Sequence, residues 1–201
     1  MSARAHWDDR YRAGDHAGRE PCAFLEEIAP LLPERGRALD LAGGAGRHAL
    51  WLARRGLEVT LVDVSPVALE LARGRADEAH LPLELRALDL EHDALPPGPW
   101  ALACTFHYLE RSLFARLAAL LEPGAWLVAT QPTVTNLERH ARPSRRFLVE
   151  PGELATLAET AQATPDGSAA FELVRYREAW SPEGVHQAEL VARRRGVARS
   201  A

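Results

Sequence analysis

The chain has 201 residues, 47% of them hydrophobic and 26% charged, which bounds it to one globular domain or two and excludes an intrinsically disordered chain. No apolar run reaches the roughly 18–20 residues of a membrane span, and a net charge of −4 offers no footprint for nucleic acid. All 24 basic residues are arginine, so the Walker phosphate-loop lysine and the pyridoxal Schiff base are excluded. Cys22 and Cys104 are far apart, and the polar start at Met1 lacks an apolar leader core; together they predict a reducing, cytoplasmic setting.

In chain order, Ala38–Ala42 is a short apolar run with one acid, predicted as a first strand, followed by the turn Gly43-Gly44-Ala45-Gly46. Arg47–Arg55 reads as a helix closed by Gly56, Leu57–Asp63 as a second strand, and Ser65-Pro66 as the start of a helix to about Ala79. Leu83–Asp89 is predicted as strand three, His92–Pro99 as a proline-rich loop, Trp100–Phe106 as strand four, Arg111–Leu121 as a helix and Ala125–Thr130 as strand five. Gln131–Glu150 reads as a long loop. Pro151–Thr160 reads as a helix, and Phe171–Trp180 and His186–Arg193 as strands joined by the turn Ser181–Gly184. Strands alternating with helices imply a doubly wound α/β parallel sheet, here ending in an antiparallel hairpin. No repeat or interdomain linker interrupts it, so one domain over 1–201 is expected.

The glycine turn is the chemical centre. Gly44-Ala45-Gly46-Arg47-His48-Ala49 fits G-x-G-x-x-A at a strand-to-helix junction, and Asp63 follows at the tip of strand two. Glycine lets the backbone approach a ligand, and an acid at that tip accepts hydrogen bonds from ribose hydroxyls. Alone, this fits a dinucleotide site or a turn that uses glycine for packing. Asp40, at the end of strand one, would repel a pyrophosphate but could bind an ammonium. Asp89, at the end of strand three, could accept from an adenine amino group. The chain also lacks the Tyr-x-x-x-Lys pair of hydride-transfer enzymes. A ligand with an α-amino group, a ribose and an adenine but no phosphate is S-adenosylmethionine.

Trp7–Tyr11, Leu39–His48, Val62–Pro66, Leu88–Leu90 and Phe106–Phe114 together resemble the class I S-adenosylmethionine-dependent methyltransferases, nearest the small bacterial tellurite-resistance and thiopurine-type branch. The likeness runs over nearly the whole chain. It implies a Rossmann-like seven-stranded sheet with the last strand antiparallel, with an N-terminal helical lid over 1–35 and a core over 36–201. It further implies that Asp40 and the Gly44/Gly46 turn hold the methionine moiety, Asp63 the ribose and Asp89 the adenine, with Ala42, Gly43, Arg47, Val64 and Leu90 also at the cofactor. Thr105, Phe106 and Tyr11 would line the cofactor. Ala42 stands where the family has glycine, which restricts the backbone there.

His107 and Tyr108 follow strand four, where a methyl acceptor would approach; His107 could take its proton or could make a hydrogen bond at a helix entry. Trp7 and Tyr11 share one helix face, as parts of a lid or as a pair docking the helix. Cys104 reads as a buried thiol, and Arg193–Arg195 as a solvated chain end. Arg111, Arg139, Arg142, Arg145 and Arg146 would favour an anionic acceptor if they border the pocket. The expected activity is methyl transfer from S-adenosylmethionine to a small, anionic or soft nucleophilic molecule, by a monomer or homodimer without metal, membrane or nucleic-acid partners. The alternatives are a non-catalytic S-adenosylmethionine-binding module and an NAD(P)-dependent oxidoreductase.

Overall fold

Seven strands form one sheet in the order β3-β2-β1-β4-β5-β7-β6. The structure, a computed structural model, describes residues 2–15, 18, 20–161 and 169–196; Met1 and residues 16, 17 and 19 of the expected lid lie outside them. The chain divides into two compact units, one reaching to Cys104 and the other starting at Thr105.

The first unit holds α1 (Ala3–Arg12), α2 (Ala23–Glu27), β1 (Arg37–Leu41), α3 (Arg47–Arg54), β2 (Glu58–Asp63), α4 (Pro66–Ala79) and β3 (Leu83–Ala87), together with most of β4 (Trp100–Phe106). β1 pairs in parallel with β2, Asp40 opposite Leu61, and β2 pairs in parallel with β3, Asp63 opposite Ala87. Leu39, Leu41, Leu61 and Leu102 are fully buried, which is why the central strands read as continuous apolar runs rather than alternating ones. The alternating, partly exposed β3 takes the edge. At the start of α4, Ser65 Oγ accepts from the Ala68 amide at 3.2 Å and Pro66 fills the first helical position, so the cap and the proline fix where the helix begins.

The second unit holds α5 (Leu113–Leu120), β5 (Leu121–Pro132), α6 (Glu153–Glu159), β6 (Phe171–Trp180) and β7 (His186–Arg194). β7 runs antiparallel to both β5 and β6, as the hairpin and the family likeness implied.

Three expectations are corrected. Strand three ends at Ala87, so Asp89 stands in the following loop: its Oδ1 accepts from the Glu91 amide at 3.0 Å, folding the chain back on itself as aspartate commonly does after a strand. Strand five begins at Leu121, so Glu122-Pro123-Gly124 does not separate it from the helix; Gly124 takes φ +84°, and its carbonyl accepts from Arg193 Nε at 3.1 Å. Gln131–Glu150 is not an unstructured loop. Gln131 and Pro132 close β5, Thr133 bridges Val149, and 3-10 turns occupy Val134–Glu138 and Arg145–Phe147.

Candidate active site

The turn between β1 and α3 is built so tightly that side chains would not fit. A Cβ on Gly43 would come 2.5 Å from Asp40 Oδ2 and 3.0 Å from Leu61 Cγ. Gly46 caps α3 at φ +82°, where a Cβ would meet that of Ala72 at 3.0 Å. Ala42 takes φ +53°, a left-handed conformation that costs an L-residue roughly 1–2 kcal/mol. Alanine is therefore accommodated at this position as backbone strain. From α4, Arg75 donates to the Ala45 carbonyl at 2.9 Å, tying the turn to the helix after β2.

Two acids flank this turn in different states. Asp63 is buried, and its oxygens are held by backbone: Oδ2 accepts from the Gly44 amide and Oδ1 from the Ser65 amide, each at 2.9 Å. Burial raises its pKa, and the Ser65 and Gly44 amides oppose that rise. A carboxylate offers about four lone-pair sites, so the two amides fix its plane and leave acceptor capacity for hydroxyl donors. Asp40 is wholly buried; Oδ1 receives the Cys104 thiol at 3.5 Å, and Oδ2 has no hydrogen-bond partner among the described residues. Burial pushes its pKa up to about 7, against the opposing Cys104 and Ala49 hydrogen bonds. An orphaned buried carboxylate oxygen is costly without a donor, and an ammonium would supply both donor and charge.

Tyr11 from α1 stands over the turn. Its hydroxyl lies 2.1 Å from where a Gly44 Cβ would be, so Gly44 must lack a side chain for Tyr11 to rest there. Trp7 packs against Tyr11 with ring centroids 6.2 Å apart. α1 buries none of its residues, and its Tyr11 is the member of the pair that reaches the glycine turn. Asp8 accepts from the Ser65 hydroxyl, fastening α1 beside Asp63. Ser2, the N-cap of α1, and Ala3 and Arg4 in its first turn, with Val64 and Asp89, line a cavity of about 310 Å³. Leu90 is buried. Asp89 is only part-buried and pairs with His92 Nδ1 at 3.0 Å; the Glu91 amide and then His92 lower its pKa, burial opposing them. Arg47 is half-buried at the first position of α3.

In the second unit, Thr105 and Phe106 are buried at the end of β4, and Thr105 Oγ1 donates to the Tyr108 carbonyl at 3.5 Å. His107 takes φ +58° and its amide donates to the Thr130 carbonyl at 2.8 Å. Its ring does not cap a helix: Nε2 lies 2.9 Å from Gln187 Oε1. Gln187 Nε2 donates to Glu189 Oε1 at 3.0 Å, and Glu189 Oε2 receives Arg177 Nε at 2.8 Å. Sequence reading missed Gln187, Glu189 and Arg177. The available signal was two polar residues, Gln187 and Glu189, at strand spacing in the otherwise apolar Gln187–Ala192 stretch.

The arginines expected to clamp an anion are engaged close to home. Arg111 Nε pairs with Glu153 at 2.6 Å, Arg145 with Glu150 at 2.5 Å, Arg139 stacks 3.9 Å over Trp180 and Arg146 lies over Phe147; Arg142 is exposed. Among the described residues there is no cluster of three or more His, Cys, Asp or Glu side chains able to hold a metal, and no helix long and apolar enough to cross a membrane.

Residues 38–124 match the model of a methyltransferase domain. The chain is 26% identical over 183 residues to a ubiquinone biosynthesis O-methyltransferase of Bordetella avium, covering 80% of this chain and 75% of that one. Among solved structures it is similar to TehB from Haemophilus influenzae, with a TM-score of 0.72 at 14% identity, over 94% of this chain and 67% of that one. It is likewise similar to a magnesium protoporphyrin IX methyltransferase from Synechocystis with bound SAH, with a TM-score of 0.68 at 18% identity, over 96% and 97% of the two chains.

Proposed function

We propose that this chain is a class I S-adenosylmethionine-dependent methyltransferase that methylates a small molecule at an acidic hydroxyl or another soft, ionisable nucleophile. The observation that carries the reading is the pair of unlike acids around one glycine turn. Asp63 is pinned by two backbone amides with lone pairs to spare, and Asp40 is buried with one oxygen lacking a donor. The first suits ribose hydroxyls and the second suits the methionine ammonium. Val64, Asp89 and the first turn of α1 border a cavity suited to the adenine, and Tyr11 covers the turn.

The cofactor supplies a methyl group already activated on a sulfonium. The chain's residues therefore need to orient, exclude water and hold a proton. Orientation alone can lower a barrier by roughly 7–11 kcal/mol. His107 follows the carboxyl end of β4, the end at which ligands bind in open parallel sheets, and is the candidate for taking the acceptor's proton, with Tyr108 beside it. The relative from Bordetella avium is named for O-methyl transfer, which supports a hydroxyl acceptor. Four of the five arginines have partners in their own unit, so the anionic character of the acceptor is assigned to its reacting atom rather than to a separate carboxylate.

A methylation screen over phenols, thiols, carboxylates and amines, using labelled S-adenosylmethionine, tests this. Turnover of acidic hydroxyls or thiols that falls at least a hundredfold in His107→Ala, the span of general-base effects being about 10²–10⁴, is the expected result. Turnover confined to amines, or unaffected by His107→Ala, would overturn it.

A further inference from the structure

We infer that Arg177, Glu189 and Gln187 form a relay that fixes the tautomer of His107, placing the ring proton on Nε2 and the lone pair on Nδ1. The inference rests on reading His107 as the acceptor-side base, but the tautomer itself follows from hydrogen-bond polarity alone.

Glu189 and Gln187 are both buried, and Glu189 stands opposite Arg177 in the β6–β7 register. Arg177 Nε and Nη2 approach the same oxygen, Glu189 Oε2, at 2.8 and 2.6 Å. The guanidinium thus pairs with this buried carboxylate, as a buried charge requires. An ionised carboxylate only accepts. Glu189 Oε1 must therefore face the amide nitrogen of Gln187, 3.0 Å away. This removes the usual ambiguity of a glutamine amide. Gln187 then has only its oxygen to present to His107, 2.9 Å from Nε2. An amide oxygen only accepts, so Nε2 must donate. In the neutral ring the remaining nitrogen, Nδ1, is the basic one.

Gln187 and Glu189 lie two apart on β7, on one face of the strand. The His107 backbone is held as well, at φ +58° with its amide on the Thr130 carbonyl. His107 is thus held at its backbone amide and at Nε2 by the second unit's own strands. Gln187 and Glu189 are positioning residues: they act through His107.

Long-range proton–nitrogen NMR of the imidazole in the full chain, above the ring's titration, tests the relay without turnover. His107→Gln identifies the signals by their loss. In the unaltered protein Nε2 is expected to carry the proton and Nδ1 to lack it. In Glu189→Gln, which keeps size but can donate as well as accept, the Gln187 amide can turn over and an Nδ1–H tautomer is expected to appear. Gln187→Met is expected to speed exchange of the Nε2 proton with water. With an acceptor from the screen, equal population of two tautomers in Glu189→Gln would lower kcat about twofold with KM for S-adenosylmethionine unchanged. A ring protonated on Nδ1 in the unaltered protein, or spectra identical in Glu189→Gln and Gln187→Met, would overturn the relay. Altered tautomers with unchanged kcat would uphold the relay and overturn the role of His107 as base.

Discussion

The glycine turn and the histidine relay are both polar constellations held by a sheet, but they are assembled in opposite ways. The turn draws Asp40, Gly44 and Asp63 from one continuous strand–turn–helix–strand unit, with Gly44 and Asp63 only 19 positions apart. The relay joins His107 to Gln187 across 80 positions, through the strand that lies between β5 and β6. The turn relies on backbone: amides bind Asp63, and glycines make room for Asp40 and Tyr11. The relay relies on side chains that satisfy one another in sequence. Local backbone sites leave a motif in a sequence, whereas side-chain relays leave only isolated polar residues in apolar strands.

The largest expected effect lies in the turn. The raised pKa of Asp40, about 7 against an ordinary 3.8 and caused by its burial, means that the folded protein binds a proton there which the unfolded chain releases. The sign follows: the acid carries no penalty below about pH 4, costs increasingly more between pH 4 and 7, and costs its full amount above pH 7. At roughly 1.4 kcal/mol per pKa unit this is on the order of a few kcal/mol. Denaturant melts of Asp40→Asn should match the unaltered protein near pH 4 and exceed it in stability at pH 8. Equal stability at both pH values would remove the distinction between the two acids.

Gly43→Ala should cost about 1–3 kcal/mol, because its Cβ would press on the Asp40 carboxylate and Leu61 in a packed interior. Chemical denaturation reads this directly. Ala42→Gly should stabilise by about 1 kcal/mol, since glycine adopts φ +53° without strain; a loss of stability would show that the Ala42 methyl contributes packing that outweighs the strain. The smallest effect belongs to the second unit: the double variant Arg142→Ala/Arg145→Ala should shift stability by less than about 0.5 kcal/mol, since the Arg145–Glu150 pair is exposed on both sides. Unchanged turnover in that variant would place the acceptor's recognition away from these arginines.

Much of the fold was legible because periodicity and punctuation agreed. Gly46, Gly56 and Ser65-Pro66 mark helix ends, and the hairpin strands fall on the residues that alternation indicated, with β7 one residue longer. Strand five reads short in the sequence because Pro123-Gly124 is turn chemistry; the Arg193 side chain bonding the Gly124 carbonyl keeps that segment in the sheet, a contact from 69 positions away. Asp89 reads as the end of strand three because apolar residues run on through Ala87 and Leu88, whereas the carboxylate's own bond to the Glu91 amide turns the chain out. In the candidate site, Asp40, Gly44 and Asp63 were legible as a group. The Asp8 contact with Ser65 was not, since a surface helix acid carries no mark of the hydroxyl it will meet. Nor was the relay, whose members become neighbours only once β7 enters the sheet between β5 and β6.

Calorimetric titration of S-adenosylhomocysteine into the unaltered protein and into Asp63→Ala tests the cofactor assignment most directly. Charge-assisted hydrogen bonds contribute about 1.5–3 kcal/mol each, so loss of this carboxylate should weaken binding at least about tenfold. The Ser65 cap on Ala68 and the α4 packing do not involve the carboxylate, and the variant should remain folded. A folded Asp63→Ala that binds S-adenosylhomocysteine as tightly as the unaltered protein would contradict the assignment of the glycine turn as the cofactor site.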